Sequence, residues 1–158
     1  MKREDKIMAK KSLFLEEARS ILGKEKQIGE PLAVERGAIK KFIEAIRDRN
    51  PLYQDEQYAR KRGYNSVVAP PTFVGREPPV ALIPNIPEEA IALHASDDWE
   101  FLRPVESGDL ITRNGKLTNV YEKQGRTGSL VLFNIEITYT NQRSEVVAIY
   151  RPTEVFRF

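Results

Sequence analysis

Residues 129–140 read SLVLFNIEITYT, with Val131, Phe133, Ile135, Ile137 and Tyr139 at every second position and mostly polar residues between them. An extended chain sends alternate side chains to opposite faces, so this spacing predicts a strand with one face to bury. The reading extends outward. In residues 91–101, IALHASDDWEF, the odd positions Ile91, Leu93, Trp99 and Phe101 are apolar. Residues 110–122 and 145–158 complete a set of four long antiparallel strands. The connecting segments RPVESGD, EKQGRTGS and TNQRSE carry the Gly, Asn and Ser of turns.

The N-terminal half has a different period. Phe14, Ala18, Ile21 and Leu22 recur at helical spacing before Gly23, which predicts an amphipathic helix over 12–22 laid on the domain, with the residues before it loose. In VERGAIKKFIEAIRD, Ile39, Phe42, Ile43 and Ile46 form one apolar face, and Asn50-Pro51 ends the run just after Asp48. QDEQYARKRGY places Asp55 and Glu56 at its start, Arg60, Lys61 and Arg62 at its end and Gly63 beyond, an order that suits the dipole of a short helix. From Pro70 to Pro87 the chain holds six prolines. Each interior proline removes a helical hydrogen bond and costs about 3 kcal/mol, so a long regular helix is excluded there. Helices first and strands after predict an α+β domain, an antiparallel sheet wrapped around a proline-broken central helical segment. Residues 1–27 read as an N-terminal helical extension and 28–158 as the domain.

Composition narrows the function. At 158 residues, 41% apolar and 30% charged, the chain fits one soluble domain, and a net charge of +2 argues against nucleic acid as its main partner. There is no cysteine and one histidine, which leaves no thiolate chemistry and no His-based metal site. The N-terminus carries Glu4, Asp5, Glu16 and Glu17 in place of an apolar run, so neither a signal peptide nor a membrane span is expected. These observations together predict a cytoplasmic protein.

The segments RNPLYQDEQYA, GYNSVVAPPTF, WEFLRPVESGD and YTNQRSEVVA follow one another in an order that resembles the MaoC-like acyl dehydratases and enoyl-CoA hydratases, specifically the N-terminal, FAS1-like dehydratase domain type. The likeness runs over 28–155. It implies a hotdog fold and acyl thioesters of coenzyme A or carrier protein as substrates, with coenzyme A part of the substrate and no metal or further cofactor. Active relatives carry Asp, any residue, Asn-Pro, an apolar residue and His. The matching positions here are Asp48, Asn50, Pro51, Leu52 and Tyr53. A phenol of pKa about 10 is a poor general base at neutral pH, so Asp48 and Tyr53 are degenerate catalytic positions.

The resemblance therefore implies a hotdog subunit without its own Asp/His pair, shaping the acyl site beside a MaoC-like partner that supplies one. Alternatives are an acyl-CoA binding module without turnover, and a self-sufficient homodimeric hydratase or thioesterase-like enzyme. Asn50, Pro70, Pro71, Thr72 and Phe73 are candidate substrate-binding residues, with Phe73 as an apolar wall beside Tyr53. Arg60, Lys61 and Arg62 either hold the phosphates of coenzyme A or form a solvated helix end. His94, the lone imidazole, reads as an ordinary strand residue. Trp99 and Phe101 read as core or dimer interface.

Overall fold

The computed structural model describes residues 3–75, 79–126 and 128–158. The chain forms α1 (Arg3–Ser20), β1 (Lys26–Gln27), β2 (Leu32–Ala33), α2 (Arg36–Ile46), α3 (Pro51–Gln54) and α4 (Glu56–Lys61). Two 3₁₀ turns follow, Pro71–Val74 and Pro79–Leu82. The remainder is β-structure: β3 (Ile91–Ser96), β4 (Trp99–Phe101), β5 (Leu110–Gly125), β6 (Gly128–Thr140), β7 (Val146–Tyr150) and β8 (Thr153–Arg157). No helix among the described residues is long and apolar enough to cross a membrane.

The hairpin of β5 and β6 is the spine of an antiparallel sheet, paired from Thr112 opposite Thr140 to Gly125 opposite Gly128 with a one-residue register shift between Leu117 and Asn119. The two outer strands expected as continuous are each broken in the middle. β7 and β8 both lie beside β6, and β4 and β3 lie beside them in turn. The break in one line falls at Arg151-Pro152, where proline has no N–H for the ladder. In the other it falls at Asp97-Asp98. Backbone bonds from Asp98 N–H to Arg151 O (3.3 Å) and from Arg151 N–H to Asp98 O (2.8 Å) hold the two breaks together. The Arg151 guanidinium adds contacts to Glu136, Asp98 and Glu100. β1 and β2 pair with β5 on the opposite side.

The period-two side chains of β6 form the centre of the core, and Val131, Phe133, Ile135, Ile137 and Tyr139 are essentially inaccessible. Among the described residues of 70–90 there is no α-helix, as the prolines require, so other elements cover this face. α1 covers one end: the Phe14 ring lies 5.1 Å from Phe133 and 5.2 Å from Phe156, centroid to centroid. α2 contributes Ile39 and Ile43. The second 3₁₀ turn brings Leu82 down on Gly115 of β5, where the missing side chain makes room: a Cβ there would stand 2.6 Å from Leu82 Cδ1 and 2.8 Å from Ile28 Cδ1.

Two helix expectations are corrected. α1 starts at Arg3 rather than near residue 12. Its middle is anchored by ion pairs that no local pattern displays, Lys10 with Glu89 (2.5 Å) and Lys11 with Glu122 (2.7 Å). Gly23, at φ 71, then leaves the helix end and donates its N–H to Leu117 O at 2.9 Å. The single short helix expected after Asn50 is two, separated at Asp55, whose side chain caps α4 by accepting the Tyr58 N–H.

Phe14→Ala should lower unfolding free energy by about 3–5 kcal/mol, because it empties an aromatic cluster. Leu13→Ala, at a side chain 56% exposed on the same helix, should change it by less than about 0.5 kcal/mol. Urea denaturation of both variants measures the contrast. Gly115→Val, which overpacks Leu82 and Ile28, should cost about 1–3 kcal/mol in the same assay.

Candidate functional site

The turn after α2 is built from side chains that accept backbone N–H groups. Arg47 closes the helix in the left-handed region (φ 56, ψ 33), a conformation uncommon for a residue with a side chain. Asp48 Oδ1 then accepts the N–H of Asn50 (2.9 Å), and Asn50 Oδ1 accepts the N–H of Leu52 (3.1 Å), capping α3 with Pro51 in its first turn. One Asp48 carboxylate oxygen is thus occupied in shaping the loop. The chain of 64–69 straps this turn to the sheet side: Val68 N–H donates to Leu52 O (2.9 Å) and Ala69 N–H to Val105 O (2.7 Å). Glu106 Oε2 receives the N–H groups of Asn65 and Ser66 at 2.7 and 3.0 Å.

Tyr53, half-buried, stands in the wall shared by two recesses. On one side is a mainly apolar chamber of about 300 Å³, with Leu52, Tyr64, Ala69, Val74, Leu102 and Val147 among its walls. Its rim includes Phe101 and Leu102, 44% and 48% exposed at the edge of the sheet. On the other side is a polar groove of about 820 Å³ along α2, where Arg36, Lys40, Arg47 and Arg49 stand with Glu44 and Asp48.

Asp48 and Tyr53 therefore share the polar groove, and Tyr53 alone of the two reaches the apolar chamber. Asn50 lines a separate recess with Tyr58 and Arg62. Pro71 borders the chamber, Pro70 is buried and Thr72 is exposed. Phe73 does not line the chamber: its ring packs edge-on against Phe42 of α2 at 5.7 Å, because the 3₁₀ turn points Val74 inward and Phe73 toward the helix.

Arg60 of α4 is engaged by Glu56 at 2.7 Å, and Arg62 lies over the Tyr58 ring at 5.2 Å, while Lys61 is exposed. The Arg60 hydrogen bond to Glu56, supported by Arg36, holds that carboxyl below its ordinary range. Sequence reasoning missed Arg36, Lys40, Arg47 and Arg49. The signal was present in the i, i+4 spacing of Arg36 and Lys40 and in the arginines flanking Asp48.

His94 lies outside both recesses. It stands between two carboxylates, with Nδ1 2.9 Å from Glu154 and Nε2 3.0 Å from Asp97, and the Tyr150 hydroxyl donates to Asp97. Trp99 stacks on Tyr150 at 4.2 Å and on Phe101 at 5.4 Å, bridging core and exposed edge.

Similar proteins place this architecture. Residues 21–150 match the family described as FAS1-like, dehydratase domain region. A UPF0336 protein of Thermobifida fusca is 33% identical over 68% of this chain and 74% of its own length. One from Mycobacterium tuberculosis is 31% identical over 70% of each chain. Among solved structures, a MaoC-like dehydratase superposes with a TM-score of 0.71 at 24% identity, covering 87% of this chain, which spans 42% of that longer protein. A chain of the ChsH1-ChsH2 complex from Mycobacterium tuberculosis gives 0.70 at 21% identity, with 91% of this chain and 94% of that one covered. A chain of the HadBC (3R-hydroxyacyl-ACP dehydratase) complex from Mycobacterium tuberculosis gives 0.68 at 20% identity, covering 85% and 96%. The chain belongs to the FAS1-like dehydratase region family and has the hotdog fold of the MaoC-like dehydratases.

Proposed function

We propose that this chain is the non-catalytic half of an (R)-type enoyl-CoA hydratase or 3-hydroxyacyl-CoA dehydratase, shaping the acyl site beside a MaoC-like subunit that carries the Asp and His. The observation that carries this reading is Tyr53: the residue at the histidine position of the family loop is a phenol set in the wall of an apolar chamber. Hydration adds water to the double bond beside the thioester carbonyl. It needs a base that accepts a proton near neutrality and donors for the charge that develops on the carbonyl oxygen. A phenol is a far poorer proton acceptor than the imidazole it replaces in the family loop. Asp48 alone, with Oδ1 already taken by Asn50, is not a substitute.

The free edge of the sheet supports a partner. β3 and β4 each pair on one side only among the described strands, and Ile91, Leu93, Phe101 and Leu102 are exposed there. An uncovered edge with apolar side chains favours pairing with another chain. Two of the similar structures are complexes by name, ChsH1-ChsH2 and HadBC. The chamber borders this same edge, so a second hotdog subunit would help to close it. A coenzyme A thioester as substrate suits a cytoplasmic setting.

The purified chain alone should hydrate neither crotonyl-CoA nor a bulkier enoyl-CoA above background. Activity should appear when a hotdog chain bearing the complete Asp/Asn-Pro/His loop is co-expressed with it. Turnover by the isolated chain that disappears in Asp48→Asn would overturn the proposal, and a complex that binds the thioester without turnover would assign a binding module instead. Leu93→Asp, at a side chain 46% exposed, should leave the circular dichroism spectrum unchanged. The same variant should abolish co-elution with the partner in size-exclusion chromatography.

A further inference from the structure

The groove along α2 gathers positive charge that the fold itself does not use. Lys40, Arg47 and Arg49 are exposed and carry no ion pair among the described residues, whereas Arg36 is tied to Glu56 at 2.6 Å. Arg36 and Lys40 lie one helical turn apart. The left-handed Arg47 then turns the chain so that Arg49 faces the same recess. Glu44 and Asp48 line the same groove, so four cationic side chains face two carboxylates there. An excess of positive charge and the strain of a left-handed residue with a side chain are features that concentrate where an anionic ligand is bound.

Tyr53 lines both this groove and the apolar chamber. A molecule lying across Tyr53 must be apolar at one end and multiply anionic at the other. The geometry points to a phosphate-binding groove on α2, in which Lys40, Arg47 and Arg49 hold the nucleotide phosphates of a coenzyme A thioester while its acyl chain enters the chamber past Tyr53. The assignment rests on the acyl-thioester reading above and gives its head group a place distinct from α4. There Arg60 is engaged by Glu56 and Arg62 by Tyr58. The groove has the dimensions of a small-molecule site. Ile43 is the one aliphatic side chain among its described lining residues, whereas a protein-docking face has an apolar centre.

The test is calorimetric titration of the full chain with adenosine 3′,5′-bisphosphate, which carries the charge of the head group and no acyl chain. Lys40→Ala combined with Arg49→Ala should weaken binding by about tenfold or more, and raised salt should weaken the wild type in the same direction. Arg47→Gly should also weaken it while leaving the protein at least as stable, since glycine suits the left-handed position. Lys41→Ala, on the same helix but outside the groove, should have no effect. A phosphate-free acyl N-acetylcysteamine thioester should bind wild type and variants alike.

Bisphosphate binding unaffected by the groove variants would overturn the inference. So would variants that impair docking of an acidic acyl-carrier protein while the bisphosphate fails to bind, since the surface would then be a protein-docking face. If the groove variants lose the bisphosphate while no partner complex hydrates an enoyl thioester, the inference stands and the hydratase reading fails. If a complex hydrates but the groove variants bind the bisphosphate normally, the groove assignment alone fails.

Discussion

The inner face of β6 carries large apolar side chains that must be covered, and the segment from Pro70 to Pro87 cannot cover them as a helix. This constraint organises the domain. Phe14 of α1 closes one end against Phe133 and Phe156, Ile39 and Ile43 of α2 add to the cover, and two 3₁₀ turns lay Val74 and Leu82 between. The hydrophobic gain of burying these groups is non-directional, so it is met by whichever elements the chain can bring near. Gly115 is the local concession, a strand position without a side chain that lets Leu82 and Ile28 approach the sheet.

The loop that follows α2 depends on that arrangement. Ile43 buries the last turns of the helix, and Arg47 reverses the chain, leaving Asp48 and Asn50 to accept N–H groups that the tight turn exposes. Backbone bonds from Val68 and Ala69 then fasten the loop beside the chamber. Tyr53 is held where an apolar space and a cationic groove meet, a boundary that a phenol suits, since its ring is apolar and its hydroxyl polar. The same frame sets an apolar chamber and a charged groove on either side of one aromatic ring.

At the far side of the sheet, the paired breaks at Asp97-Asp98 and Arg151-Pro152 bend two strand lines together. Arg151 gathers Glu136, Asp98 and Glu100 around the bend, and the Glu136 carboxyl, pushed up by burial, ends below its usual range through Lys116 and Arg151. Trp99, stacked on Tyr150, carries the core out to Phe101 at the exposed edge.

Much of the fold was legible in the chain itself, because periodicity and turn chemistry depend on neighbours in sequence. The alternation from Val131 to Tyr139, the apolar stripe of α2, the stop at Gly23 and the exclusion of a helix by the prolines are all local facts. Asp48 and Asn50-Pro51 were legible as a helix stop and a turn for the same reason, whereas the position of Tyr53 in a loop pattern came from the family resemblance. The early start of α1 was not, since Lys10 and Lys11 are anchored by Glu89 and Glu122 from far along the chain. Nor was the direction of Phe73, which depends on Phe42 being opposite. Only the tertiary structure could bring Leu52, Ala69, Leu102 and Val147 around one chamber, or Lys40, Arg49 and Tyr53 around one groove. Those proximities arise from how helices, turns and strands are packed to exclude water, and no short window of sequence records them.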